Sequence, residues 1–414
     1  MAFPRLRRFI FWCHLAAGML AGTIVFIMSV TGVLLAYEKQ IAWWADARAY
    51  RVAPGTARLS PDTIVAAARP LAGGAPTMLT VWADPAAPAA VTLGQRTIYV
   101  DPYTGRVMGE PGPQPRAFFR TMTAWHRWLG AGPEGRAAAR MITGACNLAF
   151  LFLVVSGFYL WFPRTWTWRQ VRAVSWFRRG LSGKARDFNW HNAIGLWSAI
   201  PLAVVIASGT VISYPWASDL VYRVAGETPP ARPAAAPPSA PPAGIPNRGP
   251  DTTPASLDAA WPRVLQQVEG WRAISVRIPS GSARAAAFTI DRGTGGQPQK
   301  RDTLTVDTRS GEVVKWEPFS SLSAGRRLRS YMRFGHTGEV WGLTGQTIAA
   351  LASLGGAVLV WTGISLAIRR ARVAAGFRGW ALGFRTSGGH WGGVGADLGV
   401  RLSERASGSP KPNP

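Results

Sequence analysis

Four apolar runs constrain this chain more than any other feature of its sequence. They extend approximately from Phe9 to Tyr37, from Met141 to Phe162, from His191 to Tyr214 and from Thr347 to Ile368. A helix of about 20 apolar residues crosses the roughly 30 Å hydrocarbon core of a bilayer. The sequence therefore predicts an integral membrane protein with four transmembrane helices.

The first run differs from a signal peptide, although it lies near the N-terminus. Its apolar part exceeds the roughly 7–15 residues of a signal h-region. Tyr37, Glu38 and Lys39 follow it, where small cleavage-site residues would be needed. We expect this run to be retained as a membrane anchor.

The distribution of charge predicts the orientation of the spans. The formal net charge is +25, but only 16% of the residues are charged and 48% are hydrophobic, which favours a lipid bilayer over nucleic acid as the partner. Short basic segments remain on the cytoplasmic side of a membrane. Such residues precede the first span (Arg5, Arg7, Arg8), separate the second from the third (Arg164, Arg169, Arg172, Arg178, Arg179, Lys184, Arg186) and follow the fourth (Arg369, Arg370, Arg372). We expect a multi-pass protein of the bacterial inner membrane, with both termini in the cytoplasm.

These assignments divide the chain into two copies of a span, an outer domain and a second span. The expected segments are the first span 1–40, a periplasmic domain 41–125, an interfacial segment with the second span 126–163, a basic cytoplasmic loop 164–189, the third span 190–217, a second periplasmic domain 218–335 containing a Pro/Ala-rich linker 229–254, an interfacial segment with the fourth span 336–369, and a cytoplasmic tail 370–414.

An internal repeat supports this duplication. Each span carries Ser or Thr followed by Gly, at Thr31-Gly32, Ser156-Gly157, Ser208-Gly209 and Thr362-Gly363. The outer segments repeat a Val-Asp-x-x-Ser/Thr-Gly-x-Val pattern at 100–107 and 306–313, which predicts a β-hairpin with glycine in the turn. A helix is expected before each hairpin, at Pro61 to Leu71 and at Ala255 to Val268. Each outer segment is therefore expected to be a small α+β domain.

Four of the five histidines lie at span boundaries. His14 and His191 each stand 17 residues before a Ser/Thr-Gly pair, near the cytoplasmic end, whereas His126 and His336 precede spans on the outer side. Imidazoles at the ends of membrane spans often form hydrogen bonds only with lipid headgroups or backbone carbonyls. One histidine from each half at each side is, however, also the arrangement that two bis-imidazole haem b sites need. Zinc is less attractive because no carboxylate or cysteine is near, and His390 in the tail has no counterpart.

Two further expectations accompany the haem interpretation. Gly18 and Gly195, one turn after His14 and His191, either let a flat macrocycle approach the helix or serve only helix packing. His126 and His336 lie 30 and 26 residues before Ser156 and Thr362, too far for one straight helix in the membrane. A break at 130–135, and another at Gly342 and Gly345, would fold them back.

Several longer motifs resemble one family. Phe11-Trp12-Cys13-His14, Trp125-His126-Arg127-Trp128-Leu129-Gly130, Trp190-His191-Asn192-Ala193-Ile194-Gly195 and the two hairpins are similar to PepSY-associated transmembrane helix proteins, also called iron-regulated membrane proteins. The resemblance implies a four-helix bundle with two periplasmic α+β PepSY-like domains. It also implies similarity to dihaem ferric-siderophore reductases, with His14, His191, His126 and His336 as axial ligands. Some relatives carry fused flavin-reductase domains, whereas here the tail after Arg372 is short, so the donor is expected to be a quinol or a separate flavoprotein.

The resulting hypothesis is an oxidoreductase that reduces ferric siderophores at the periplasmic face. No catalytic side chain is expected, because the chemistry belongs to the cofactor. Arg127, Trp128 and Arg333 are candidate contacts for the chelate. The alternatives are a non-catalytic PepSY protein that binds a peptide or regulates a partner, and a component of siderophore or iron uptake. Transport is weakened because no span carries an embedded Asp, Glu, Lys or Arg.

Overall fold

A helical bundle and a β-sheet make up the described part of the chain. The computed structural model describes residues 4–71, 75–94, 96–163, 166–231, 256–279 and 284–386, with side chains up to Val373. Arg164, most of the expected linker (232–254) and His390 lie outside the described residues.

Four helical stretches in the described residues are long and apolar enough to cross a membrane, as the sequence predicts. The helices concerned are α1 (Pro4–Leu35), α5 (Arg136–Trp161), α7 (Gly183–Ser213) and the first part of α11 (Gly342–Thr386). Apolar side chains on their outer surfaces are far more exposed than a water-soluble fold would allow, with Leu20 at 86% and Ile200 at 77%. Hydrocarbon is the solvent that suits such a surface.

The four span helices form a bundle in which α1 and α7 lie on opposite corners. Each of them packs against both α5 and α11. Small residues permit the close approach: a Cβ added to Gly356 of α11 would lie 3.0 Å from Ser29 Oγ of α1 and 3.1 Å from Phe150 of α5. Such small-residue contacts are the usual basis of helix packing in membranes.

The chain breaks near both expected positions, although Gly345, expected in the second break, lies inside α11. Helix α4 (Pro113–Trp128) ends at Leu129 and Gly130, whose φ values of 53° and 76° are left-handed, and the chain turns before α5 begins. Helix α10 (Ala324–His336) ends before Gly338 and Gly342, with φ values of 73° and 63°, and α11 follows. The turns bring α4 back against α1 and α10 back against α7.

The strands of the two outer α+β segments join in one continuous antiparallel sheet. Its strand order is β4-β3-β2-β1-β5-β6-β7-β8. The strands are β1 (Pro76–Trp82), β2 (Ala89–Leu93), β3 (Arg96–Val100), β4 (Val107–Gly109), β5 (Ala273–Arg277), β6 (Ala285–Asp291), β7 (Arg301–Asp307) and β8 (Val313–Glu317). The two halves join where β1 pairs with β5. This pairing satisfies backbone groups that two isolated sheets would expose at their edges.

The expected outer helices and hairpins are confirmed. Helices α3 (Pro61–Ala68) and α9 (Leu257–Gln267) cover one face of the sheet and bury a common apolar core with it. In both hairpin turns the glycine has positive φ, 73° at Gly105 and 70° at Gly311. The remaining helices are α2 (Glu38–Ala49), α6 (Trp168–Ser175) and α8 (Pro215–Val224).

A buried carboxylate ties the sheet to the helices below it. Asp46 of α2 accepts hydrogen bonds from Arg116 of α4, including one at 2.8 Å, and from the Tyr99 hydroxyl of β3 at 2.9 Å. Burial, and then the charge of Asp46, raises the pKa of Tyr99, so the phenol stays protonated and continues to donate. The start of α4 is therefore fixed relative to the sheet.

We expect Asp46→Ala to destabilise the protein strongly. The substitution leaves Arg116 and Tyr99 without their acceptor, and breaking a buried ion pair costs about 3 kcal/mol or more. Because the Arg116 side chain is 33% exposed, we expect the loss of stability to lie at the low end of that range. The measurement is the melting temperature of the detergent-solubilised protein. Glu110→Ala, which removes the exposed pair of Glu110 with Arg96, is the control and should change little. Equal losses in both variants would contradict this role.

Candidate functional site

Two of the histidines meet in the bundle at the end remote from the sheet. His14 lies on α1 and His191 on α7, and their ring centroids are 6.4 Å apart with the rings nearly perpendicular. The two helices occupy opposite corners, so the rings approach each other across the bundle axis. We call His14 and His191 the sheet-distal pair.

The other two histidines meet at the opposite end of the bundle. His126 is near the end of α4 and His336 is the last residue of α10, and their ring centroids are 6.2 Å apart. These two helices follow the last strand of each half of the sheet. We call His126 and His336 the sheet-proximal pair. The structure thus brings the four histidines together in the two pairs that the repeat predicts.

Each Ser/Thr-Gly pair supplies a hydroxyl to one histidine of a neighbouring helix. The distances from imidazole Nδ1 to the hydroxyl oxygen are 2.8 Å for His14 and Ser156, 3.0 Å for His126 and Thr31, 2.9 Å for His191 and Thr362, and 3.4 Å for His336 and Ser208. His336 Nδ1 is closer to a backbone carbonyl, Val205 O, at 2.8 Å. The repeat therefore pairs every histidine with one hydroxyl.

The hydrogen-bond geometry identifies the nitrogen that is left for a ligand. Each hydroxyl also contacts the carbonyl four residues earlier in its own helix, for example Ser156 Oγ to Phe152 O at 2.6 Å and Thr362 Oγ1 to Val358 O at 2.8 Å. A hydroxyl has one hydrogen, and the carbonyl accepts it, so the hydroxyl must accept from Nδ1–H. The tautomer assigned in this way leaves the lone pair of Nε2 available.

The glycine after each hydroxyl makes room for the imidazole. A Cβ added at Gly32, Gly157, Gly209 or Gly363 would meet Cε1 of the bonded histidine at 3.6, 3.2, 3.2 and 3.4 Å respectively. At Gly157 and Gly209 a side chain would crowd the ring, whereas at Gly32 and Gly363 a Cβ would make an ordinary van der Waals contact with it. Each Ser/Thr-Gly pair is therefore a two-residue contact site for one imidazole, and the sequence repeat contains four such sites.

Gly18 and Gly195, one turn after His14 and His191, each face a leucine of an adjacent helix. A Cβ at Gly18 would touch Leu153 at 3.8 Å, and a Cβ at Gly195 would touch Leu359 at 3.6 Å. Both glycines therefore lie against leucines of adjacent helices. These contacts agree with a role in helix packing, and the role in admitting a macrocycle stays a prediction.

The two pairs fit a metal that takes two axial nitrogens. A metal bonded to both Nε2 atoms at about 2 Å holds the ring centroids about 6 Å apart. The observed 6.4 and 6.2 Å agree with this value. Among the described residues no group of three or more His, Cys, Asp or Glu side chains is placed to hold a metal ion. Haem supplies four further nitrogens of its own, so the residues present fit haem better than a bare zinc ion.

A row of hydroxyl side chains crosses the face of the sheet that α3 and α9 leave uncovered. Thr80, Ser275, Thr289 and Thr303 lie directly opposite one another on β1, β5, β6 and β7. They remain half-exposed, whereas their strand neighbours fill the core on the other face. Ala90 of β2, opposite Thr80, interrupts the row, and Tyr99 of β3, opposite Ala90, bonds α2. This face therefore looks toward the helices that carry the sheet-proximal pair.

Cationic groups surround Phe334, two residues before His336. Lys39 Nζ, Arg301 Cζ and Arg333 Cζ lie 5.8, 5.4 and 5.7 Å from the Phe334 ring centroid. Lys39 is also bonded to the buried Glu339 at 2.7 Å, and Arg301 pairs with Asp291 at 3.4 Å. The sequence pointed to Arg333 but missed Lys39 and Arg301, which belong to other elements.

The candidate residues Arg127 and Trp128 form a separate cluster. The Arg127 guanidinium lies 4.9 Å from the Trp128 ring, and Arg136 lies 4.7 Å from the same ring. This stacking is the kind that anchors aromatic and basic side chains at a membrane interface. Arg127 and Trp128 are thus grouped with each other, and Arg333 is grouped with Phe334.

The fold and the two histidine pairs define a class: a four-span membrane protein with a duplicated α+β domain on one side. The model of the PepSY-associated TM region family matches residues 11–370. The chain therefore belongs to that family. No curated protein matches the chain.

Proposed function

We propose that the protein is a dihaem b-type electron-transfer protein of the bacterial inner membrane that reduces ferric siderophores in the periplasm. The observation that carries the proposal is the two facing histidine pairs, each ring held with Nε2 available. His14 and His191 hold one haem, and His126 and His336 hold the other. When bound, each haem supplies a one-electron redox centre whose potential depends on its ligands and burial.

The basic residues support the proposed orientation. The described residues of the three short basic segments, among them Arg7, Arg186 and Arg369, lie at the sheet-distal end of the bundle. Because short basic segments stay on the cytoplasmic side, the sheet faces the periplasm and both termini face the cytoplasm. In this orientation the haem at the sheet-distal pair would be the one accessible to a quinol or a reduced flavoprotein, and the haem at the sheet-proximal pair would be the one accessible to a periplasmic acceptor.

We place the chelate against the face of the sheet that is turned toward the sheet-proximal pair. The hydroxyl row offers hydrogen bonds to its oxygens, and Arg333 offers positive charge, whereas Lys39 and Arg301 are paired with Glu339 and Asp291. Arg333 contributes directly, and Arg127 and Trp128 border the site at the membrane surface. One electron converts Fe(III) to Fe(II), which hard siderophore oxygens hold less tightly, so the iron is released.

The test is haem quantitation followed by reduction of a ferric chelate. Protein purified after haem-replete expression should contain about two haem b per polypeptide and show a low-spin Soret band. After reduction with dithionite, the protein should be reoxidised by a ferric tris-hydroxamate or by ferric citrate, with Fe(II) captured by ferrozine. Absence of haem would overturn the proposal and leave the peptide-binding or regulatory alternative. Haem that ferric chelates do not reoxidise would overturn the reductase activity alone.

A further inference from the structure

We infer that Thr31, Ser156 and Thr362 are positioning residues that set the redox potential of the metal site they adjoin, an inference that rests on the proposed haem function of the histidine pairs. Among the described contacts, each hydroxyl bonds only carbonyls of its own helix and one histidine. None of the three hydroxyls therefore has another partner that would explain its place.

The physical effect follows from the direction of the hydrogen bond. An imidazole that donates Nδ1–H to an acceptor becomes a more basic ligand at Nε2, and its ring orientation is fixed. A more basic ligand stabilises the oxidised, more positive metal and so lowers the reduction potential. Removing the acceptor should raise that potential and loosen the ligand.

The hydroxyl–imidazole hydrogen bonds connect different helices, and this connection determines which histidine pair is affected by the loss of each hydroxyl. Thr31 shares α1 with His14, yet its hydroxyl bonds His126 of α4. Loss of the Thr31 hydroxyl should therefore affect the sheet-proximal site and leave the sheet-distal site unchanged. Loss of the hydroxyl of Ser156 or Thr362 should affect the sheet-distal site, through His14 or His191.

Backbone carbonyls of Met28 and Leu359 also contact His126 and His191, beside their hydroxyl partners. For His336 the carbonyl is the closer acceptor. Its Nδ1 lies 2.8 Å from the Val205 carbonyl and 3.4 Å from the Ser208 hydroxyl, so the backbone is its main acceptor. A side-chain substitution cannot remove a backbone carbonyl. Ser208→Ala should therefore have the smallest effect of the four hydroxyl variants, although Ser208 occupies an equivalent position in the repeat.

The experiment uses the full haem-loaded chain with Thr31→Val, Ser156→Ala, Thr362→Val and Ser208→Ala. Spectroelectrochemical titration gives the two midpoint potentials, and excess apomyoglobin as acceptor gives the rate of haem loss. Each of the first three variants should raise one potential and speed the loss of one haem by about tenfold or more, the usual effect of removing such a partner. The same four substitutions are also combined with His14→Ala, which keeps only the sheet-proximal haem. The response of Thr31→Val in this background assigns its effect to the sheet-proximal site.

Two controls separate this role from general packing. Ser198→Ala removes a buried hydroxyl of α7 that bonds the carbonyl four residues earlier, at 2.6 Å, and it should change neither potential. Thr31→Ser keeps the acceptor and should restore the wild-type potential.

The outcomes distinguish the inference from the proposed function. Wild-type protein without haem would refute the proposed function and the inference with it. Haem-loaded wild type, with potentials unchanged in Thr31→Val, Ser156→Ala and Thr362→Val, would overturn the inference alone. It would also be overturned if Thr31→Val altered the sheet-distal site, or if Ser208→Ala produced the largest shift.

Discussion

Replacing His14 or His191 with alanine is expected to remove one of the two haems and leave the other. The two rings face each other across the bundle at 6.4 Å, and alanine supplies no ligand in place of either. Haem per polypeptide should fall by about half in each single variant and by no more in the double variant, because both residues serve one site. Pyridine haemochrome analysis of the purified proteins gives the stoichiometry.

The fifth histidine provides the matched control for these variants. His390 has no counterpart in the repeat, so His390→Ala should retain both haems. Full haem content with an unchanged low-spin spectrum in both His14→Ala and His191→Ala would show that the pairing is wrong. Loss of all haem from either variant would show instead that the two sites are not independent.

Replacing His126 or His336 should slow the exit of electrons to a ferric chelate. Thr31, which bonds His126, stands 17 residues along α1 from His14, about 25 Å at ~1.5 Å per residue. Without the sheet-proximal haem, the remaining redox centre is separated from the chelate by most of the membrane. We expect reoxidation of the dithionite-reduced protein to slow by at least about tenfold, equivalent to about 1.4 kcal/mol.

Stopped-flow absorbance of the Soret band measures this rate, with ferric citrate or a ferric tris-hydroxamate as oxidant. Each variant should keep the sheet-distal haem, which confirms that the protein is folded. Ser198→Ala, which leaves both pairs intact, should reoxidise at the wild-type rate. If His126→Ala and His336→Ala also did so, electrons would leave by another route and the exit site assigned here would be wrong.

The pairing of the histidines was predictable, because the repeat places symmetry-related residues at equal depth. His14 and His191 share the same spacing to a Ser/Thr-Gly pair. The bonds of those pairs to the histidines were not predictable. Thr31 reaches His126 only because α4 turns back at Leu129 and Gly130, and the rotation of α4 about its axis has no signature in its sequence.

The outer region shows a similar limit. Hydrophobic alternation and the Val-Asp-x-x-Ser/Thr-Gly-x-Val pattern locate strands and turns, but they do not state which strand edges meet. The pairing of β1 with β5, and with it the hydroxyl row from Thr80 to Thr303, depends on how the two halves face each other. Lys39 and Arg301 were missed for the same reason, because three separate elements carry the cations around Phe334.

The pairing of β1 with β5 has a consequence for how this architecture is assembled. Each half contributes one strand edge to the shared sheet, two helices to the bundle and one histidine to each pair. These are self-complementary contacts of the kind that hold two identical subunits around a twofold axis. The chain therefore has the organisation of a symmetric dimer whose subunits are joined end to end. Once they are joined, each half is free to diverge, as the different acceptors of His126 and His336 already illustrate.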